Sequence, residues 1–262
     1  MTEDEIDARH AFGSALIAEA GALALDYFRR VGELTVSSKG PQDVVSEADV
    51  EVERMIRGRI AAAFPGDAFL GEESGRTDFV PGQGIWVVDP IDGTQPFVSG
   101  MSSWCVSIAF VADGRVRLGY VVAPARDELF VGRVGHGATL NGRPIAVKRV
   151  ASVTEGIVAA GYSLRLPPEA FLPAFTRLLE AGGVFYRDGS GALALAYVAA
   201  GRLIGYAEAQ INAWDCLGSL ALIEAAGGVS NDFLAGDGLW TGGPLITASP
   251  ELYPSLAALW QG

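Results

Sequence analysis

The sequence predicts a mixed α/β (α+β) fold, and three observations carry that prediction. Residues 86–98, WVVDPIDGTQPFV, read as a buried strand that breaks on Asp89 and enters a tight turn holding a second carboxylate, Asp92. Residues 104–145 contain two hairpin signals, Asp113-Gly114 and Asn141-Gly142, between apolar runs, the pattern of an antiparallel sheet. From about residue 150 onward strands and helices alternate, as in an α/β half-domain. With 262 residues, 50% of them apolar, the chain can fill one large domain with two packed lobes, about 1–150 and 151–262.

In order, residues 4–30 repeat apolar side chains at helical spacing, and a short strand at 34–36 precedes SSKGPQD, whose Gly40 and Pro41 mark a mobile loop. Ser46 followed by Asp49 forms a capping box for a helix reaching about Ala63. Residues 68–74, AFLGEES, read as a short strand ending on Glu72 and Glu73, two acids that taken alone are a solvated pair. After the hairpins come a strand at GIVAAGY, a helix over 168–180, a strand at GVFYR and a helix over 190–200 capped by Ser190. A strand at LIGYAEA leads to a nearly all-apolar helix with Asp215 at its N-terminus, where a cap is the plain explanation. The strand PLITAS and a helix to Trp260 close the chain.

The charge balance excludes some functions. A net charge of −12 with no Lys/Arg cluster argues against nucleic-acid binding. The acidic start and the lack of an uncharged apolar run near ~18 residues predict no secretory signal and no membrane span, hence a cytoplasmic protein. Cys105 and Cys216 lie in apolar runs and read as reduced core thiols. His10 and His136 stand alone, without a second His or Cys to make a metal site.

The turn after Asp89 has its own chemistry. Pro90 pushes Asp89 toward an extended backbone, Gly93 lets main chain approach a ligand, and Pro96 suits the first position of a helix. The N–H groups near 93–95 would then face a phosphate. Carboxylates beside a phosphate repel it unless a divalent cation lies between, so the stretch predicts metal-assisted phosphate chemistry.

Read jointly, GEES at 71–74, WVVDPIDGT at 86–94 and WDCLGSLALIEAAGG at 214–228 resemble the inositol monophosphatase family, in order and across essentially the whole chain. KGPQDVVSEAD at 39–49, GATLNGRPI at 137–145 and DGSGALALAYVAAGR at 188–202 match as well. The resemblance implies a layered α/β/α/β/α sandwich, commonly a homodimer, and a lithium-sensitive, Mg²⁺-dependent phosphatase. It assigns Glu72, Asp89 and the Ile91 carbonyl to a first Mg²⁺, and Asp89, Asp92 and Asp215 to a second, with Glu72 in reach of a third. It further implies that Thr94, hydrogen-bonded to Asp49, holds the attacking water, that Glu72 serves catalysis through its metal, and that Asp92, Gly93, Thr94, Ser190 and Glu208 meet the substrate. Lys39 and Glu73 are further candidates. The chain departs from the family pattern at Gln95-Pro96, at Asp188-Gly189-Ser190-Gly191 and at Asn212, which stands where some members have His. Inositol monophosphate is the favoured substrate and histidinol phosphate the runner-up. A metal-binding regulatory protein without turnover is the alternative from another class.

Overall fold

Helix α1 (Glu3–Arg29) opens the computed structural model, which describes residues 1–40, 43–80, 82–163 and 165–261. The side chains of Lys39, Asp43 and Gln261 lie outside that description. By length and composition α1 could cross a bilayer, yet its stripe of Ile6, Leu16, Ile17, Ala20 and Ala24 is buried against a sheet. Arg9 of α1 pairs at 2.7 Å with Asp67, whose side chain is buried. Strands β1 (Val36–Gly40) and β2 (Asp43–Ser46) pair antiparallel before helix α2 (Glu47–Ala63).

The strand expected at 34–36 and the loop expected beyond it are both shifted in the structure. Instead a 3₁₀ turn occupies Val31–Glu33, and residues 36–40 form the first arm of this ribbon. Residues 37–40, SSKG, carry no apolar alternation that would mark them as strand.

Eight strands build the larger sheet: β3 (Ala68–Gly71), β4 (Gly75–Arg76), β5 (Ile85–Asp92), β6 (Cys105–Ala112), β7 (Arg115–Ala123), β8 (Glu128–Arg133), β9 (Gly137–Leu140) and β10 (Arg143–Ile145). Their spatial order is β10-β9-β8-β7-β6-β5-β3-β4, with β3 and β5 parallel and the other neighbours antiparallel. Asp113 and Asn141 take the positive φ that the two predicted hairpin turns require. Helix α3 (Thr94–Val98) follows β5 directly.

The remaining chain contributes helices α4 (Leu172–Glu180), α5 (Gly191–Ala199), α6 (Ala213–Ala225), α7 (Gly238–Thr241) and α8 (Tyr253–Gln261). Its strands β11 (Ile157–Ala160), β12 (Val184–Tyr186), β13 (Gly205–Ile211), β14 (Val229–Ser230) and β15 (Gly243–Ala248) form a second sheet in the order β12-β11-β13-β15-β14. The helix expected over 168–180 is divided into a 3₁₀ turn, Pro168–Ala170, and α4. Pro173 lacks the N–H needed to continue the first turn into the second.

The layers are α1 and α2, the eight-stranded sheet, α5 and α6, the five-stranded sheet, and α4 with α8. Every residue of β5 is buried. Trp86 and Val88 join the α1/α2 core, while Ile85 and Val87 join the α5/α6 core. A strand covered on both faces reads as a continuous apolar run, which is why this one was plain in the sequence.

Candidate active site

Strand β5 delivers the two aspartates with an irregularity that the sequence hides. Asp89 sits opposite Ser107 and Asp92 opposite Cys105, so three steps on β5 face two on β6. Residues three apart on a regular strand point to opposite faces; one extra residue brings them toward the same side. Asp89 Oδ1 accepts the Ile91 N–H at 2.9 Å. Gly93 then takes φ +94°, a left-handed conformation, and α3 begins at Thr94. Pro96 is therefore the third helical residue rather than the first, a position where its missing N–H still costs no helical bond.

Thr94 and Asp49 meet as the resemblance implies. Thr94 Oγ1 lies 3.1 Å from Asp49 Oδ1 and 3.1 Å from the Ile91 carbonyl oxygen. The other Asp49 oxygen, Oδ2, accepts from Ser46 N at 2.9 Å and Ser46 Oγ at 2.6 Å. One fully buried carboxylate thus caps α2 and holds the threonine at the same time. Burial pushes the Asp49 carboxyl up, against the hydrogen bonds from Ser46 and Thr94.

Asp215 repeats this arrangement on α6. Its Oδ2 accepts from Asn212 N at 3.2 Å and Asn212 Nδ2 at 3.0 Å, closing a capping box. Arg165 donates in turn to Asn212 Oδ1. Glu72, Asp89 and Asp215 each offer a carboxylate oxygen, all within 4.8 Å of one another. At that spacing and an effective dielectric of 20, each ionised pair repels by about 3 kcal/mol. Burial first, and then the charges of Glu72, Asp92 and Asp215, raise Asp89 well above the ordinary carboxylate range. Asp215 is raised chiefly by burial too. Such a group of hard oxygen donors fits a divalent cation such as Mg²⁺.

Asp92 stands beside that trio, and its Oδ2 accepts from Ser190 Oγ and, at 2.6 Å, from Ala192 N at the start of α5. Burial and the Asp215 charge push Asp92 up to about 7. Glu208 is 7% exposed and accepts from the Tyr206 hydroxyl, and burial pushes it up to about 8. Tyr206 was missed in the sequence, although two residues apart on a strand means the same face.

Glu72, Asp92, Gly93, Thr94, Ser190, Glu208 and Asp215 line one cavity of about 980 Å³, with Arg165 and Arg187 on its wall. Glu73 does not line it; its N–H goes to Glu53 Oε2 at 2.9 Å. Lys39 is on β1, and its side chain lies outside the described residues. His10 bonds the Tyr120 hydroxyl at 3.0 Å and His136 sits in a turn after β8, so neither histidine lines the cavity.

A layered sandwich with converging carboxylates at its strand and helix ends defines a class of metal-dependent phosphoric monoester hydrolases, and comparison with known proteins bears out the hydrolase class. The family model for the inositol monophosphatase family matches residues 6–261, and the chain belongs to that family. It is 37% identical over 232 residues to an inositol-1-monophosphatase of Mesorhizobium japonicum, covering 87% of each chain. It is also 31% identical over 242 residues to the Nus factor SuhB of Escherichia coli K12, covering 92% of this chain and 91% of that one. The solved SuhB of Bartonella henselae superposes with a TM-score of 0.87 at 31% identity, covering 96% of this chain and 97% of the other.

Proposed function

We propose that the protein is a Mg²⁺-dependent phosphomonoesterase for a small polyol phosphate, with inositol monophosphate the favoured substrate. The observation that carries this reading is the approach of Glu72, Asp89 and Asp215 within 4.8 Å beside the Thr94–Asp49 pair. Glu72, Asp89 and the Ile91 carbonyl would hold one ion, and Asp89, Asp92 and Asp215 a second, with Glu72 also near a third. Bound there, Mg²⁺ supplies Lewis-acid activation of water and charge to stabilise the departing alkoxide. Thr94 orients the attacking water, because its hydroxyl is held between Asp49 and the Ile91 carbonyl. Backbone N–H groups of Gly93 and Thr94 bind phosphate oxygens. Ser190 holds Asp92, and Glu208 faces the alcohol part of the substrate. Lys39 remains a candidate electrostatic contributor from β1, whereas Glu73 does not line the cavity.

Phosphate release from myo-inositol 1-phosphate, histidinol phosphate, fructose 1,6-bisphosphate and 3′-phosphoadenosine 5′-phosphate, with and without Mg²⁺, tests this reading. Turnover of the first, dependent on Mg²⁺ and inhibited by millimolar-scale Li⁺, is expected; histidinol phosphate is the runner-up. Relatives called Nus factor support a second reading, a regulatory partner role, and no release from any of the four esters would favour it. A cytoplasmic location fits the two buried, unpaired cysteines. A homodimer fits the exposed Leu172, Leu179, Val184 and Phe185 on α4 and the edge strand β12. A single domain with two packed lobes meeting near residue 150 is the reading we favour, supported by the two separate sheets with α5 and α6 between them.

A further inference from the structure

Glu53 is a buried carboxylate, 2% exposed, whose oxygens accept from backbone rather than from the cavity. Its Oε2 takes the Glu73 N–H at 2.9 Å and its Oε1 the Ser74 N–H at 2.7 Å. On the other side of Glu72, a Cβ at Gly71 would lie 2.4 Å from Glu53 Oε2, so the carboxylate also packs tightly on that main chain. Glu72 N–H itself bonds the Val88 carbonyl at 3.2 Å, the residue before Asp89. The backbone before, at and after Glu72 is therefore gripped by β5 and by one side chain of α2.

Asp49 and Glu53 are one turn apart on α2, both buried. Two carboxyl groups buried one turn apart on a helix cost free energy unless each is hydrogen-bonded. Each has a partner in the site: Asp49 takes Thr94, and Glu53 takes the turn that carries Glu72.

We propose that Glu53 is a positioning residue for Glu72, and that α2 sets the spacing between the Glu72 carboxylate and Thr94 through its two buried acids. The proposal rests on the reading of Glu72 as a metal ligand. A group that orients a ligand through its backbone controls metal affinity without touching the metal.

The experiment measures Mn²⁺ binding by isothermal titration calorimetry, and the Mg²⁺ concentration for half-activation, in the full chain and in Glu53→Gln, Glu53→Asp and Glu72→Gln. Gln keeps one acceptor but turns an NH₂ toward the other N–H; Asp keeps the charge but withdraws it by one methylene. Both are expected to weaken Mn²⁺ binding by about tenfold or more. Half-activation should shift by a similar factor, with a smaller loss of kcat at saturating Mg²⁺. Circular dichroism and melting without metal report the fold. If both Glu53 variants unfold, or melt early while binding Mn²⁺ normally, Glu53 serves the fold alone and the proposal is overturned. Unchanged Mn²⁺ binding in them beside a weakened Glu72→Gln also overturns it. If Glu72→Gln itself binds Mn²⁺ normally, the reading of Glu72 as a ligand fails first, and the proposal with it.

Discussion

Single carboxylates in this protein do two things at once, one on each oxygen. Asp49 caps α2 through Oδ2 and holds Thr94 through Oδ1, and Asp215 caps α6 while facing Glu72 and Asp89. The cap and the site are therefore not competing explanations for either residue. Asp89→Asn and Asp215→Asn should each abolish phosphatase turnover with the circular dichroism spectrum retained, because on the proposed reading each removes a charged metal ligand. Thr94→Ala should cost about a hundredfold in kcat, the scale of a lost proton-handling group. Glu208 calls for a different outcome. With its carboxyl pushed up to about 8, it is largely protonated near neutrality, and Gln resembles that form. Glu208→Gln should leave Mg²⁺ half-activation unchanged and raise KM for the ester increasingly above pH 8. A uniform loss with weakened Mg²⁺ activation would instead place Glu208 among the ligands.

At the scale of elements, the irregular joints decide the chemistry. The extra residue in β5 between Asp89 and Asp92, and the left-handed Gly93 after it, turn a buried strand into a carboxylate-rich corner. Helix α2 depends on Ser46, whose hydroxyl donates to Asp49 and accepts from Ala48 N at 3.2 Å. Ser46→Ala should lower stability by about 1–2 kcal/mol in urea denaturation, the cost of a lost N-cap. It should also reduce kcat, since Asp49, left with only the main-chain N–H at position 46 on Oδ2, holds Thr94 less firmly. A stability loss with kcat intact would separate the cap from the site.

The whole molecule carries an excess of buried acid that the metal-free state must protonate. The carboxyls of Asp89, Asp92 and Asp215 are all raised, so the folded protein binds more protons than the unfolded chain. For Asp92 that excess spans about pH 4 to about 7. Metal-free stability is accordingly greatest on the acid side of this window and falls as pH rises through it. On the proposed reading the deprotonated acids hold Mg²⁺, so its stabilising effect should grow with pH. Thermal midpoints between pH 5 and 8 in EDTA and in Mg²⁺ should diverge as pH rises; parallel curves would mean the acids do not bind the ion. The exposed edge is a second global feature. Val184 is 58% exposed beside Phe185, whose ring meets Phe175 of α4 at 4.8 Å between centroids. If the proposed homodimer uses this edge, Val184→Asp should convert it to a monomer in sedimentation analysis.

What the sequence by itself determined lies within a few residues of backbone. The Asp89-to-Thr94 turn, the two hairpins and the ends of α5 and α6 follow from φ preferences, caps and apolar period, all of which act locally. Resemblance to a family added which distant residues belong together, without a physical account of how they meet. Tertiary structure alone decided that account. Asp92 meets Ser190 98 positions away and Thr94 meets Asp49 45 positions away, because five layers stack and the sheets hold one register. The bulge in β5 and the bonds from the Glu72 turn to Glu53 left no signal in apolar spacing. A polar side chain's partner is set by which layer packs opposite it, and periodicity records only whether a residue faces a layer at all.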